Sequence, residues 1–197
     1  MSRPKSQKKY QAILIAASAL FLKYGFTAVS MEMIRDEACV SKNTLYNHFE
    51  NKKALFEAVI LDYWRNESTP RVFIEEGEPM HSTLTRFAKS LIKHLYDKKT
   101  QSFFRILVAE AERFPGLAKS IILNNQPPIL LSFTQYLKNE IKFNQAKAES
   151  SAIYFFGLLK EDAFWHVLAG FRKPYTKSEI DAHVANVVPI FINLIRW

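Results

Sequence analysis

SMEMIRDEACVSKNTLYNHF, residues 30–49, decides the fold. Ser30 is a residue type that caps helices, accepting a hydrogen bond from a backbone N–H of the first turn, so a short helix is expected over 31–38. Cys39-Val40 makes a tight break, and Ser41 is a second cap that opens a helix through about His48. Two short helices joined by so brief a break form a helix-turn-helix, whose second helix enters the DNA major groove. Ile34, Ala38, Val40 and Leu45 are spaced to pack the pair together and onto a preceding helix. The remainder of the second helix is polar: Lys42, Asn43, Thr44, Tyr46, Asn47 and His48. Lysine reaches phosphate or guanine and asparagine pairs bidentately with adenine. A solvated helix face is the alternative reading of the same residues.

Upstream, a helix is expected over 5–24 with Ile13, Ala17, Leu20, Phe21 and Tyr24 on its buried stripe and Lys9, Ala16 and Lys23 elsewhere around it. Gly25 suits the left-handed conformation that ends a helix. Lys8-Lys9 followed by the apolar run 12–22 imitates a secretory signal peptide, but the helical stripe and the patterned sequence beyond it argue for a core helix. Downstream, Asn51 caps a helix over 52–66 that buries Leu55, Phe56, Val59, Ile60 and Tyr63. Lys52 and Lys53 open it, where backbone N–H groups already favour a phosphate.

Composition agrees with an all-α chain. Among 197 residues only 5 are glycine and 8 proline, too few for the turns of an all-β protein. Lys and Arg number 27 against 19 Asp and Glu, a net charge of +8 that is compatible with a polyanion partner. One cysteine, Cys39, excludes internal disulfides and a cysteine zinc cluster and fits a reducing, cytoplasmic setting. No run of about eighteen apolar residues is seen, so no membrane span or membrane partner is expected.

Thr69-Pro70 and Gly77-Glu78-Pro79 bracket an irregular stretch, which places a boundary between a DNA-binding domain, 1–66, and a larger helical domain, 67–197. Helices are expected there over 80–96, 101–113, 115–124, 127–143 and 146–168, the last ending at Gly170. Thr176-Lys177-Ser178-Glu179 is a capping box for a final helix in which Pro189 kinks or loosens one turn. The total is about nine helices.

SKNTLYNHFENKKALFEAVI, residues 41–60, resembles the DNA-binding domain of the TetR family of bacterial repressors, and ILIAASALFLKYGFTAVSM, 13–31, is similar to the same family's first helix. A weaker resemblance runs through FFRILVAEAERFPGLAKSI, 103–121, to the regulatory domain of members associated with efflux and stress control. The resemblance implies an all-helical homodimer that binds a palindromic operator through its N-terminal domains and an inducer through its C-terminal ones. It implies that Lys42, Asn43, Thr44 and Asn47 touch bases or neighbouring phosphates, that Tyr46, His48 and Lys52 hold the phosphate backbone, and that Ser30 caps the second helix near it. Two positions depart from the pattern. Arg35 stands where alanine is usual, and Cys39 where glycine is usual, at a positive φ that costs a residue with a β-carbon about 1 kcal/mol. Cys39, just before the recognition helix and near Lys42, is either an oxidation-prone thiol or an inert half-buried one.

The C-terminal part is rich in aromatics. Trp64, Phe87, Leu91, Phe103, Leu107, Phe133, Tyr136 and Trp165 are candidates to line a pocket for a small apolar or aromatic inducer, or to be plain core. Glu110, Glu112 and His94 are candidate polar handles in it. Phe156, Leu159, Ala163, Val184, Val188 and Phe191 give stripes on the last two helices that would form a four-helix dimer interface. The five histidines show no metal-binding spacing, and no phosphate loop or nucleophile elbow is present, so neither an enzyme, a cofactor nor a metal is expected. The expected function is a ligand-responsive repressor. The alternative is a DNA-binding scaffold or regulator controlled by a protein partner. A pocket of several hundred Å³ favours the first, and a filled core with an exposed apolar patch favours the second.

Overall fold

The computed structural model describes residues 4–66, 70–72, 75, 77–112, 115 and 128–196. Among these residues the chain forms nine helices and no strand, in two compact units.

The first unit comprises residues 1–67 together with 102–126. Its α1 spans Pro4–Ala28, but Gly25 stands at φ 79° and ψ 169°, so the long helix does end there and one further turn follows. The buried face of α1 is Ile13, Leu14, Ala16, Ala17, Leu20 and Phe21. Tyr24, expected on that stripe, is 47% exposed, and Ala16, expected off it, is buried, because the first core wraps more than one face of α1. By length and composition Gln7–Ala28 is apolar enough to cross a membrane, contrary to expectation. In the fold its apolar face is core, packed against α2 (Met31–Glu37), α3 (Lys42–His48) and α4 (Lys52–Asn66).

Ser30 caps α2 by accepting from the Met33 N–H at 3.1 Å, and Asn51 caps α4 by accepting from Ala54 at 2.9 Å. Helix α6, Lys98–Glu110, starts and ends about three residues earlier than expected. Its Phe103 and Leu107 are buried in the same core as Phe21, Phe26 and Phe56, and Phe103 lies 5.0 Å from the Tyr63 ring. The compact unit therefore takes in a stretch of chain beyond the boundary drawn at residue 66, because apolar residues some 40 positions away complete its core.

The second unit comprises 68–101 and 127–197. It holds α5 (Met80–Leu95), α7 (Pro128–Asn139) and α8, which runs over Gln145–Lys160, passes through a π-helical turn at Glu161–Trp165 and ends at His166–Leu168. Gly170 follows at φ 81°. The Thr176–Glu179 capping box is formed and opens α9, Lys177–Ile195, which continues across Pro189. The expected helix over 115–124 lies, apart from Pro115, outside the described residues.

Four of these helices meet on Phe133. Its ring stacks on Phe87 of α5 at 5.1 Å and on Phe155 of α8 at 4.7 Å, and Phe155 meets Phe191 of α9 at 4.6 Å. All four rings are buried. The turn after α8 is fastened by Asp162, which accepts from both Arg172 and the Tyr175 hydroxyl. The bond from Tyr175, together with Arg172, holds the Asp162 carboxyl below its usual range, whereas burial and Asp162 push Tyr175 up to about 12. Phe133→Ala should lower the unfolding free energy by about 3–5 kcal/mol in urea denaturation, since it leaves a cavity where four helices join.

Candidate nucleic-acid interface

The second helix of the helix-turn-helix has only seven residues, too few to be stable alone. It is held by burial of Leu45, 1% exposed, and of Phe49 just after it, 5% exposed. Ile34 of α2 is fully buried in the same cluster, with Ala38 and Val40 packed on it. The Ser41 hydroxyl accepts from the Thr44 N–H at 3.1 Å and lies 2.9 Å from the Thr44 hydroxyl. The break before it bends as the resemblance implies, with Cys39 at φ 51°. Cys39 is exposed rather than half-buried, its Sγ 3.6 Å from the Asp36 carbonyl. Arg35 does not crowd the helix pair, because its guanidinium is tied to Asp36 at 2.6 Å on the surface.

With Leu45 and Phe49 turned inward, Lys42, Asn43, Tyr46 and Asn47 are left exposed on the opposite side of α3. The Lys42 ammonium lies 6.0 Å over the Tyr46 ring. Thr44 and His48 are half-buried. The Thr44 hydroxyl is engaged with the cap, and the His48 ring meets Tyr10 of α1 edge-on at 5.7 Å. Tyr10, which sequence reasoning passed over, also stacks on Phe49 at 5.3 Å and so braces the end of the recognition helix. Its only signal was an aromatic one turn before the α1 stripe. Lys52 departs most from expectation. Its ammonium donates to the carbonyls of Phe26, Thr27 and Val29 rather than standing open at the surface.

The candidate pocket residues fall in both units. Phe103 and Leu107 belong to the first unit's core, Phe87, Leu91, Phe133 and Tyr136 are packed inside the second, and Trp165 is 41% exposed. The Trp64 side chain lies outside the described residues. Glu110 accepts from the Thr27 hydroxyl at 2.7 Å, Glu112 is exposed, and His94 is half-buried on α5. A cleft of about 380 Å³ does open in the second unit, on the polar side of α5, lined by His81, Ser82, Thr85, Arg86 and Lys89.

The dimer candidates lie in the core of the single chain. Phe156, Leu159, Ala163, Val184, Val188 and Phe191 are all buried within a single chain, the most accessible at 8%. The same helices expose a different apolar set: Ile153, Tyr154 and Trp165 on α8, Ile190 and Leu194 on α9. Their signal was the presence of apolar residues out of phase with the stripe already used for the core.

A capped, core-docked recognition helix presenting Lys, Asn and Tyr defines a helix-turn-helix DNA-binding protein. Residues 13–59 match the family model described as bacterial regulatory proteins, tetR family, and 82–194 match that of the AefR-like transcriptional repressor C-terminal domain. The chain belongs to the TetR family of bacterial transcriptional regulators and is a DNA-binding regulator of transcription. It is 32% identical over 97 residues to the uncharacterized regulator YdeS of Bacillus subtilis, a match that spans 49% of this chain and about half, 47%, of that one. Among solved structures, a TetR-family regulator from Mesorhizobium loti superposes with a TM-score of 0.81 at 27% identity, over 98% of both chains. The flavonoid-responsive regulator FrrA superposes with a TM-score of 0.80 at 25% identity, over 95% of this chain and 97% of its own.

Cys39→Gly should raise the unfolding free energy by up to about 1 kcal/mol, since glycine removes the cost of a β-carbon at positive φ and returns part of it as unfolded-state freedom. Urea denaturation measures the sign. A loss of stability would mean that the thiol contact to Asp36 outweighs the strain.

Proposed function

We propose that a homodimer of this chain represses transcription from the cytoplasm by occupying a two-fold symmetric operator, and releases it when a small ligand binds the second unit. The observation that carries the reading is the exposed face of α3, where Lys42, Asn43, Tyr46 and Asn47 stand clear of a helix whose other side is locked into core. Asn43 and Asn47 read bases, Lys42 reads guanine or binds phosphate, and Tyr46 holds the backbone. Thr44, with its hydroxyl on the cap, and His48, leaning on Tyr10, act at the edge of that contact. Ser30 serves as the cap of α2. No catalytic step and no metal enters this function.

Dimerisation uses the exposed apolar set of α8 and α9. Two copies of a helix pair that each carry a second apolar face bury it by packing as four helices about a two-fold axis. Ligand response is supported by likeness to a regulator named for its response to flavonoids and by a cleft of the size a small molecule needs. The cleft is lined by polar groups and by basic ones already paired with carboxylates, so the ligand carries a polar group besides any aromatic part. Release requires that the ligand bind better to a conformer in which the two recognition helices no longer fit successive major grooves.

Selection from a random duplex pool should return a two-fold symmetric motif with half-sites about one helical turn, or a multiple of it, apart. Asn47→Ala should then flatten base preference at one position per half-site, costing roughly 1–3 kcal/mol on the selected site and little on random DNA. Equal losses on both would remove Asn47 from base reading. Ile190→Glu should give a monomer in sedimentation equilibrium with its helix content intact. A dimer that survives this change would place the interface elsewhere.

A further inference from the structure

Lys52 opens α4, and its side chain reaches back to the junction between α1 and α2. The ammonium donates to the carbonyls of Phe26 at 2.9 Å, Thr27 at 3.2 Å and Val29 at 2.8 Å, and lies 4.5 Å from the centre of the Phe26 ring. A lysine has three N–H donors and no acceptor, so three carbonyls match its full capacity. The first two carbonyls belong to the single turn of α1 past the Gly25 kink and the third to the residue after its end, so all three are main-chain oxygens that the helix leaves without an internal partner. The junction is gripped from a second direction. The Thr27 hydroxyl donates to Oε1 of Glu110, the last residue of α6, at 2.7 Å. Three residues beyond Thr27 stands Ser30, the cap of α2, so whatever fixes the junction fixes where the helix-turn-helix begins.

We propose that Lys52 and Glu110 are positioning residues for operator recognition, clamping the α1–α2 junction from α4 and from α6 and so setting the angle at which α2 and α3 are presented. The inference rests on the operator-binding reading above. It departs from the role the family resemblance implies for Lys52, that of holding a phosphate. The two roles differ in what salt does. A lysine that neutralises a phosphate releases a counterion and adds about 0.9 to the slope of log affinity against log salt. A lysine committed to carbonyls adds nothing to that slope, yet its loss lets the reading head drift and lowers specific binding more than non-specific binding.

The test measures the affinity of the full chain for the selected operator and for a random duplex over a range of salt. Stoichiometric titration gives the active fraction and circular dichroism the helix content. Lys52→Met should lose about tenfold on the operator, with a salt slope parallel to wild type and little change on random DNA. Lys42→Met, the control at an exposed lysine, should lower the slope by about one. Thr27→Val and Glu110→Ala should each weaken operator binding without changing the slope, and the double variant should lose no more than the larger single loss, because both remove one bond. These two carry the test should Lys52→Met fail to fold. A slope lowered by about one in Lys52→Met, or unchanged operator affinity in both Thr27→Val and Glu110→Ala, would overturn the proposal while leaving the operator reading intact. Wild-type protein that binds no duplex would overturn both.

Discussion

A helix of two turns has more unsatisfied backbone groups than internal hydrogen bonds, and in water it melts. The recognition helix α3 is of this length, so its geometry is borrowed from the core beneath it. Leu45 and Phe49 are the points of attachment. They are buried among residues of α1, α2 and α4, with Tyr10 stacked on Phe49 and Ser41 satisfying the free N–H of Thr44. Burial of these two side chains fixes the rotation of α3 about its axis. Fixing the rotation decides that Lys42, Asn43, Tyr46 and Asn47 face outward together.

The same economy governs the second unit in a different chemistry. Its core is closed by stacked rings around Phe133. Each of α8 and α9 spends one apolar stripe on that core and carries a second at the surface. A helix that is apolar on two sides needs two partners, and the fold supplies one of them. A polar cleft opens on the far side of α5, beside Arg86 and Lys89, whose charges are balanced by Glu78 and Asp181 at 2.6 Å each.

Charge near a helix N-terminus also has competing uses. A lysine at the start of α4 invites the reading of a phosphate clamp, because the backbone there favours anions. The α1–α2 junction stands closer, and the carbonyls of Phe26, Thr27 and Val29 offer the ammonium three acceptors at 2.8–3.2 Å. The lysines that remain exposed in this unit include Lys42 on α3 and Lys8 and Lys9 near the start of α1.

Local chemistry was legible in the sequence. Ser30, Ser41, Asn51 and Thr176 cap helices as their hydroxyl or amide oxygens dictate, Gly25 takes positive φ where the long helix ends, and the two short helices and their break follow from cap spacing, while the positive φ at Cys39 was implied by the family resemblance. Periodicity says that a helix has an apolar stripe. It does not say which of two stripes meets the chain's own core, and so Phe156 and Val188 are core while Ile153 and Ile190 are surface. Nor does it show that Phe103 and Leu107 complete the first core, that Lys52 turns back onto α1, or that Glu110 reaches Thr27 across 83 positions. Those are contacts between residues far apart in sequence, decided by how close-packed helices come together, and only the tertiary structure contains them.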